Sequence, residues 1–183
     1  MHKNPWKTLS SDIKYENNWI KIIENKVLNA AGTEGIYGVV HFKTQAIAII
    51  PLDEHNHTWI VGQHRYPLDK YEWEIVEGGC PEGTSPIATA HRELHEEVGL
   101  QAEKMTCILE MQLSNSTTDE ISYTYVARGI SYIGTKPDED EILHIKKLPF
   151  EEVYQMVMRG EIKDGLSVAS ILKAKILLDE GKI

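Results

Sequence analysis

Residues 78–100 read GGCPEGTSPIATAHRELHEEVGL and constrain the fold of this chain more than any other stretch. Gly78, Gly79 and Gly83 surround Pro81 ahead of a helix-forming run, and Gly99 follows it. The pattern reads as tight loop, helix, tight turn, with glycine where positive φ or close backbone approach is needed. Inside the helix, RELHEEVG brings Arg92, Glu93, Glu96 and Glu97 together. Residues four apart share a helix face, so Glu93 and Glu97 stack one above the other. Like charges at that spacing weaken a helix by roughly a few tenths of a kcal/mol. A hard divalent cation would offset the cost, because Mg2+ prefers carboxylate oxygens plus the oxygens of a substrate phosphate. The plainer alternative is a solvated acidic face that Arg92 partly neutralises.

A helical wheel separates the faces. Ile87, Ala90, Leu94 and Val98 form an apolar stripe for packing on a sheet. Glu93 and Glu97 flank it on one side, at the crevice between helix and sheet, and His91 and His95 flank it on the other. Arg92 and Glu96 are spaced for an i,i+4 ion pair. The two histidines have zinc-binding spacing, but in H-R-E-L-H the glutamate stands one position late for a zinc-protease base, and no third ligand is evident.

The segment resembles the Nudix box, G-x5-E-x7-R-E-U-x-E-E-x-G-U with U a bulky aliphatic residue. Gly78, Arg92, Glu93, Leu94, Glu96, Glu97, Gly99 and Leu100 match at the required spacing, and Thr84 stands where the pattern has its first Glu. Further likeness runs over nearly the whole chain. QHRYP (63–67), YEWEIVEGG (71–79) and GEIKDGLS (160–167) are similar to segments of ADP-ribose pyrophosphatases and related nucleoside diphosphate sugar hydrolases. The resemblance implies an α/β/α sandwich of the α/β (α+β) class with a mixed sheet. It also implies a single domain over 1–183, whose N-terminal strands, 1–44, form a homodimer interface.

The same resemblance assigns roles. Metal, Mg2+ or Mn2+, falls to Glu93 and Glu97 and to the main-chain carbonyl of Glu77, while Glu96 and Arg92 complete the catalytic set. The general base comes from the loop LSNSTTDEIS (113–122), with Glu120 aligning best and Asp119 as its neighbour. Arg65 would meet phosphate or ribose oxygens, a task that suits its planar fork. Trp19 and Tyr37, read as lying in N-terminal strands, would stack on the base. Thr84 supplies no carboxylate, but Thr84 or Ser85 can cap the helix, with activity then leaning on the other ligands.

At 183 residues the chain suits one domain that buries roughly 70% of its unfolded surface. A formal charge of −9 disfavours a nucleic-acid partner, yet a small phosphate substrate remains compatible because a bound metal supplies positive charge. No apolar run is long enough for a membrane span, and MHKNPWKTLSSD lacks the apolar stretch of a secretory signal. Cys80 and Cys107 read as free thiols, so the expected location is the cytoplasm.

Strands are expected at 19–27, 36–42, 46–52, 58–63, 105–113, 121–127 and 141–148, from their β-branched and aromatic content. A helix should run from Pro149 to about Arg159. A last helix should span Ser167 to about Glu180, with Ala169, Leu172, Ile176 and Leu177 on its apolar side. The expected activity is metal-dependent hydrolysis of ADP-ribose or a related nucleoside diphosphate sugar to a nucleoside monophosphate and a sugar phosphate. The alternative is a non-catalytic Nudix domain that senses a nucleotide, which the clustered acids disfavour.

Overall fold

A computed structural model of the chain describes residues 3–135 and 142–183. Three strands come first: β1 (Lys7–Glu16), β2 (Ile20–Leu28) and β3 (Glu34–Phe42), an antiparallel sheet of their own. Every residue of β1 is exposed, so no alternation of polarity marks it in the sequence. Backbone pairing with β2, from Lys7 opposite Leu28 to Glu16 opposite Lys21, makes it a strand.

β4 (Thr44–Pro51) lies inside a four-stranded sheet. It pairs antiparallel with β7 (Val76–Pro81) and parallel with β9 (Ile121–Tyr132), which in turn pairs with β8 (Leu100–Gln112). A second sheet joins β5 (His57–Arg65) to β6 (Lys70–Glu74) and β10 (His144–Pro149), all antiparallel. Residues 70–81 link the two, running in the β5 sheet as β6 and in the four-stranded sheet as β7, with Ile75 between them.

Among the described residues, three α-helices cover the strands: α1 (Pro86–Val98), α2 (Phe150–Met158) and α3 (Gly165–Asp179). β4 explains the layering. Ile47 and Ile49 pack into the cluster that holds Ala90, Leu94 and Val98 of α1. Ala48 and Ile50 pack into the cluster that holds Phe150, Val153, Ile171 and Ala174 of α2 and α3. Alternate side chains thus reach opposite faces, both buried, which is why the run AIAII carries no polar residue. Each fully buried Ile contributes roughly 1.5–3 kcal/mol. Helices on both faces of a mixed sheet are what the order of elements implied.

Several expected boundaries and faces move. β8 starts at Leu100, directly after the helix-ending glycine, and β9 runs on to Tyr132. β10 starts at His144, and Glu141, expected as its first residue, lies outside the described residues. The apolar side of α3 was misplaced. Its buried residues are Leu166, Ser167, Ser170, Ile171 and Ala174, while Ile176 is 55% exposed. Two buried serines on the packing face misdirect a wheel drawn on apolarity alone. Their hydroxyls are satisfied inside, Ser170 by Thr124 at 2.7 Å. Ile87, expected on the packing stripe of α1, is exposed.

Candidate active site

α1 begins at Pro86, whose fixed φ suits a first helical position and whose missing N–H leaves nothing to satisfy there. Ser85 is the N-cap residue, but its side chain makes no capping bond. The Thr84 hydroxyl instead donates to the Pro81 carbonyl, as does its own backbone N–H at 3.0 Å. Neither hydroxyl caps the helix, contrary to expectation; that of Thr84 closes the turn before it. The helix ends on Gly99 at φ 68°, whose N–H returns to the His95 carbonyl at 2.9 Å. A Cβ there would also press on the Gly134 and Thr135 backbone at 2.7 Å.

Glu93 and Glu97 are buried, at 8% and 7% exposure, on the face of α1 that meets β7 and β4. Gly78 makes room for this: a Cβ there would fall onto the Glu93 carboxyl group. Arg92 ties the arrangement together. Its Nη2 donates to Glu93 Oε1 at 2.6 Å and to the Gly79 carbonyl at 3.2 Å, and its Nη1 donates to Glu96 Oε2 at 2.5 Å. The donors gathered here are hard oxygens, which fit Mg2+ or Mn2+. Among the described residues no group of three or more His, Cys, Asp or Glu side chains forms a ready metal cluster. His91 is exposed and His95 half-buried, and the zinc pairing read from their spacing finds no support in any such cluster.

The loop between β8 and β9 separates its two acids. Asp119 accepts from His41 Nδ1 at 2.6 Å and from the Phe42 N–H at 3.1 Å, so both its oxygens are engaged by the end of β3. Glu120 is half-buried. Burial first, then the negative charges of Asp119 and Asp164, push its carboxyl above the usual range. A cleft of about 400 Å3 opens beside this loop, lined by His41, Gln45, Thr84, Asp119 and Tyr123.

The Glu77 side chain turns to α3. Ser167, fully buried, donates its hydroxyl to Glu77 Oε1 at 2.8 Å and accepts the Ile75 N–H at 3.1 Å. Burial and then the neighbouring Asp164 push the Glu77 carboxyl well above its usual range, against the pull of that hydrogen bond. Asp164 caps α3 by accepting the Ser167 N–H at 2.7 Å. Neither Asp164 nor Ser167 was singled out from the sequence, although both fall in the GEIKDGLS segment. Ser167→Ala takes one donor from the Glu77 carboxyl and the side-chain acceptor from the buried Ile75 N–H, so it should destabilise the protein by about 1–3 kcal/mol in thermal or urea unfolding. A loss below a few tenths would mean the clamp is replaced by water.

Arg65 grips Glu74, its Nε at 2.9 and 3.1 Å from the two carboxylate oxygens and its Nη2 on Oε2. The pair borders a cavity of about 520 Å3 with Pro67, Leu68, Lys163 and Asp164. Trp19 lies in the turn before β2 rather than in a strand, and is 67% exposed. Tyr37 is in β3; its hydroxyl donates to the Ser116 carbonyl at 2.6 Å and its ring packs edge-on against Trp6.

The NUDIX domain profile matches residues 42–167, over two thirds of the chain. The chain belongs to the Nudix family. Residues 6–40 match a second profile, the nucleoside diphosphate sugar hydrolase N-terminal domain. Nudix hydrolases generally depend on a divalent metal. Among similar proteins is an ADP-ribose pyrophosphatase of Mycobacterium tuberculosis, 29% identical over 177 residues, which cover 94% of this chain and 84% of that one. An ADP-ribose pyrophosphatase of Bacillus subtilis is 31% identical, with 69% of each chain covered. A methanol dehydrogenase activator of Bacillus methanolicus is 34% identical over the same share of both. The fold matches the crystal structure of an ADP compounds hydrolase with a TM-score of 0.86, covering 97% of each chain at 18% identity.

Proposed function

We propose that this Nudix protein hydrolyses the pyrophosphate bond of ADP-ribose or a related nucleoside diphosphate sugar, releasing a nucleoside monophosphate and a sugar phosphate. The observation that carries the reading is the buried Glu93 and Glu97 on one helix face, Glu93 seated against Gly78, in a chain of this family. Glu93 and Glu97 would hold Mg2+ or Mn2+ together with main-chain oxygen from β7. The Gly79 carbonyl meets Arg92 of α1, and carbonyls two residues apart on a strand face the same edge, which directs the Glu77 carbonyl there too. When bound, the cation neutralises pyrophosphate charge and acidifies the attacking water. Arg92 keeps Glu93 and Glu96 oriented, Glu120 takes the proton of that water, and Ser167 fixes the strand that carries Glu77.

Arg65 faces phosphate with Nη1, since Glu74 occupies its other edge. Trp19, exposed at the tip of the β1–β2 turn, is available to stack on a base, whereas Tyr37 braces the loop of Glu120. A homodimer is the proposed assembly. Leu9, Ile13, Tyr15 and Ile36 are exposed on the N-terminal sheet, an apolar surface that a second copy would cover. The proposed location is the cytoplasm; no described helix is long and apolar enough to cross a membrane.

The test is turnover of a panel of nucleoside diphosphate sugars with Mg2+, with Mn2+ and with chelator. Thr84→Glu adds the acid usual at this box position and should hold or raise turnover of ADP-ribose. If neither form hydrolyses any member of the panel while calorimetry detects nucleotide binding, the sensor reading replaces this one.

A further inference from the structure

The loop that carries Glu120 is fastened along the edge of β3. Tyr37 Oη donates to the Ser116 carbonyl at 2.6 Å, the Val40 N–H donates to the Thr117 carbonyl at 2.9 Å, and Val40 and Thr118 form a parallel bridge. Asp119 then closes the row, accepting from His41 Nδ1 at 2.6 Å and from the Phe42 N–H at 3.1 Å. An ionised carboxylate only accepts, so His41 donates from Nδ1. The loop therefore adds itself to the N-terminal sheet as a short fourth partner. His41 sits between the two matched regions, 6–40 and 42–167.

We infer that the N-terminal sheet is the positioning element of the base-bearing loop, and that His41 is the positioning residue that aims Glu120 through Asp119. The inference rests on the reading of Glu120 as base. Physically, a loop base must be held in one place to take a proton in the transition state, and loops left alone sample many. Fixing both Asp119 oxygens fixes the backbone one residue before Glu120. Glu120 itself remains within reach of the Asp164 charge on the α3 side. The N-terminal sheet thereby acts on catalysis through the loop it holds, and Asp119 serves as a strut.

The test compares His41→Ala with His41→Asn, whose side-chain amide N–H can replace Nδ1–H, in the full chain. His41 is only half-buried, so the fold should survive both. Three readouts separate the roles: hydrogen exchange of amides 113–121, steady-state kinetics on the best substrate, and Mn2+ binding. For His41→Ala, loop exchange and loss of kcat should each be about tenfold or more, the weight of one charge-assisted hydrogen bond. KM and Mn2+ affinity should stay near wild type, and His41→Asn should recover most of the loss. Tyr37→Phe should shift exchange the same way by less. Unchanged exchange in His41→Ala overturns the clamp, and faster exchange with unchanged kcat overturns the positioning role. If the wild-type chain hydrolyses nothing but shows the same exchange difference, the clamp stands and the hydrolase reading falls.

Discussion

Replacing Glu97 by glutamine is expected to lower turnover by roughly 10²–10³-fold, the usual size of losing one preorganised charge at the reacting centre. The change keeps shape and volume at a position only 7% exposed, so the core of Leu94 and Val98 beside it is undisturbed. It also removes one of two like charges stacked on α1, which relieves a few tenths of a kcal/mol or so in the metal-free protein. Thermal stability without metal should therefore hold or rise slightly while activity collapses. That opposition marks a ligand instead of a structural residue. The measurements are kcat in saturating Mg2+ and a thermal melt with chelator. Turnover near wild type in saturating Mg2+ would show that Glu97 does not hold the metal.

Glu120→Gln is expected to lower kcat by roughly 10²–10⁴-fold, the contribution typical of a positioned general base. KM should change little, because the base acts mainly in the transition state. Asp119→Asn should do much less, since an amide oxygen still accepts from the Phe42 N–H. A larger loss in Asp119→Asn would put the loop register off by one, and no loss in either would leave water activation to the box glutamates and the cation. The pH profile gives a second check. Burial, Asp119 and Asp164 raise the Glu120 carboxyl above its ordinary 4.5. Activity needs the ionised form, so it should fall as pH drops through that raised value, placing the acid limb above 4.5. The linked stability runs the other way: the raised group favours the folded state at pH below 4.5 and loses that contribution as pH rises through its folded value. Glu120→Gln should remove the limb, and Asp164→Asn should move it to lower pH.

The box helix was legible because everything that defines it is local. Glycines at both ends, a proline at the first turn and a period of 3.6 fix where α1 starts, stops and faces, and i,i+4 spacing alone pairs Arg92 with Glu96. β4 was equally legible, since a strand buried on both faces must be apolar throughout. β1 was not, because its exposed residues carry no periodic signal and only pairing with β2 holds it.

The rest of the candidate site depended on meetings far along the chain. Asp119 and Glu120 are adjacent acids with the same chemistry in sequence; His41, 78 residues away, binds Asp119, and the proposed division into strut and base follows from that contact. Arg65 was expected to meet substrate directly, but half of its fork is taken by Glu74 across the β5–β6 hairpin. Ser167, 90 residues from Glu77, carries no signal in the sequence beyond its place at a helix start, yet burial makes its hydroxyl the partner of both the Glu77 carboxyl and the Ile75 N–H. Sequence by itself determined the elements whose signal is periodic hydrophobicity or backbone conformation, since these repeat within a few residues. Tertiary structure alone decided which polar groups are buried against each other, because a desolvated donor or acceptor must find a partner wherever the fold brings one.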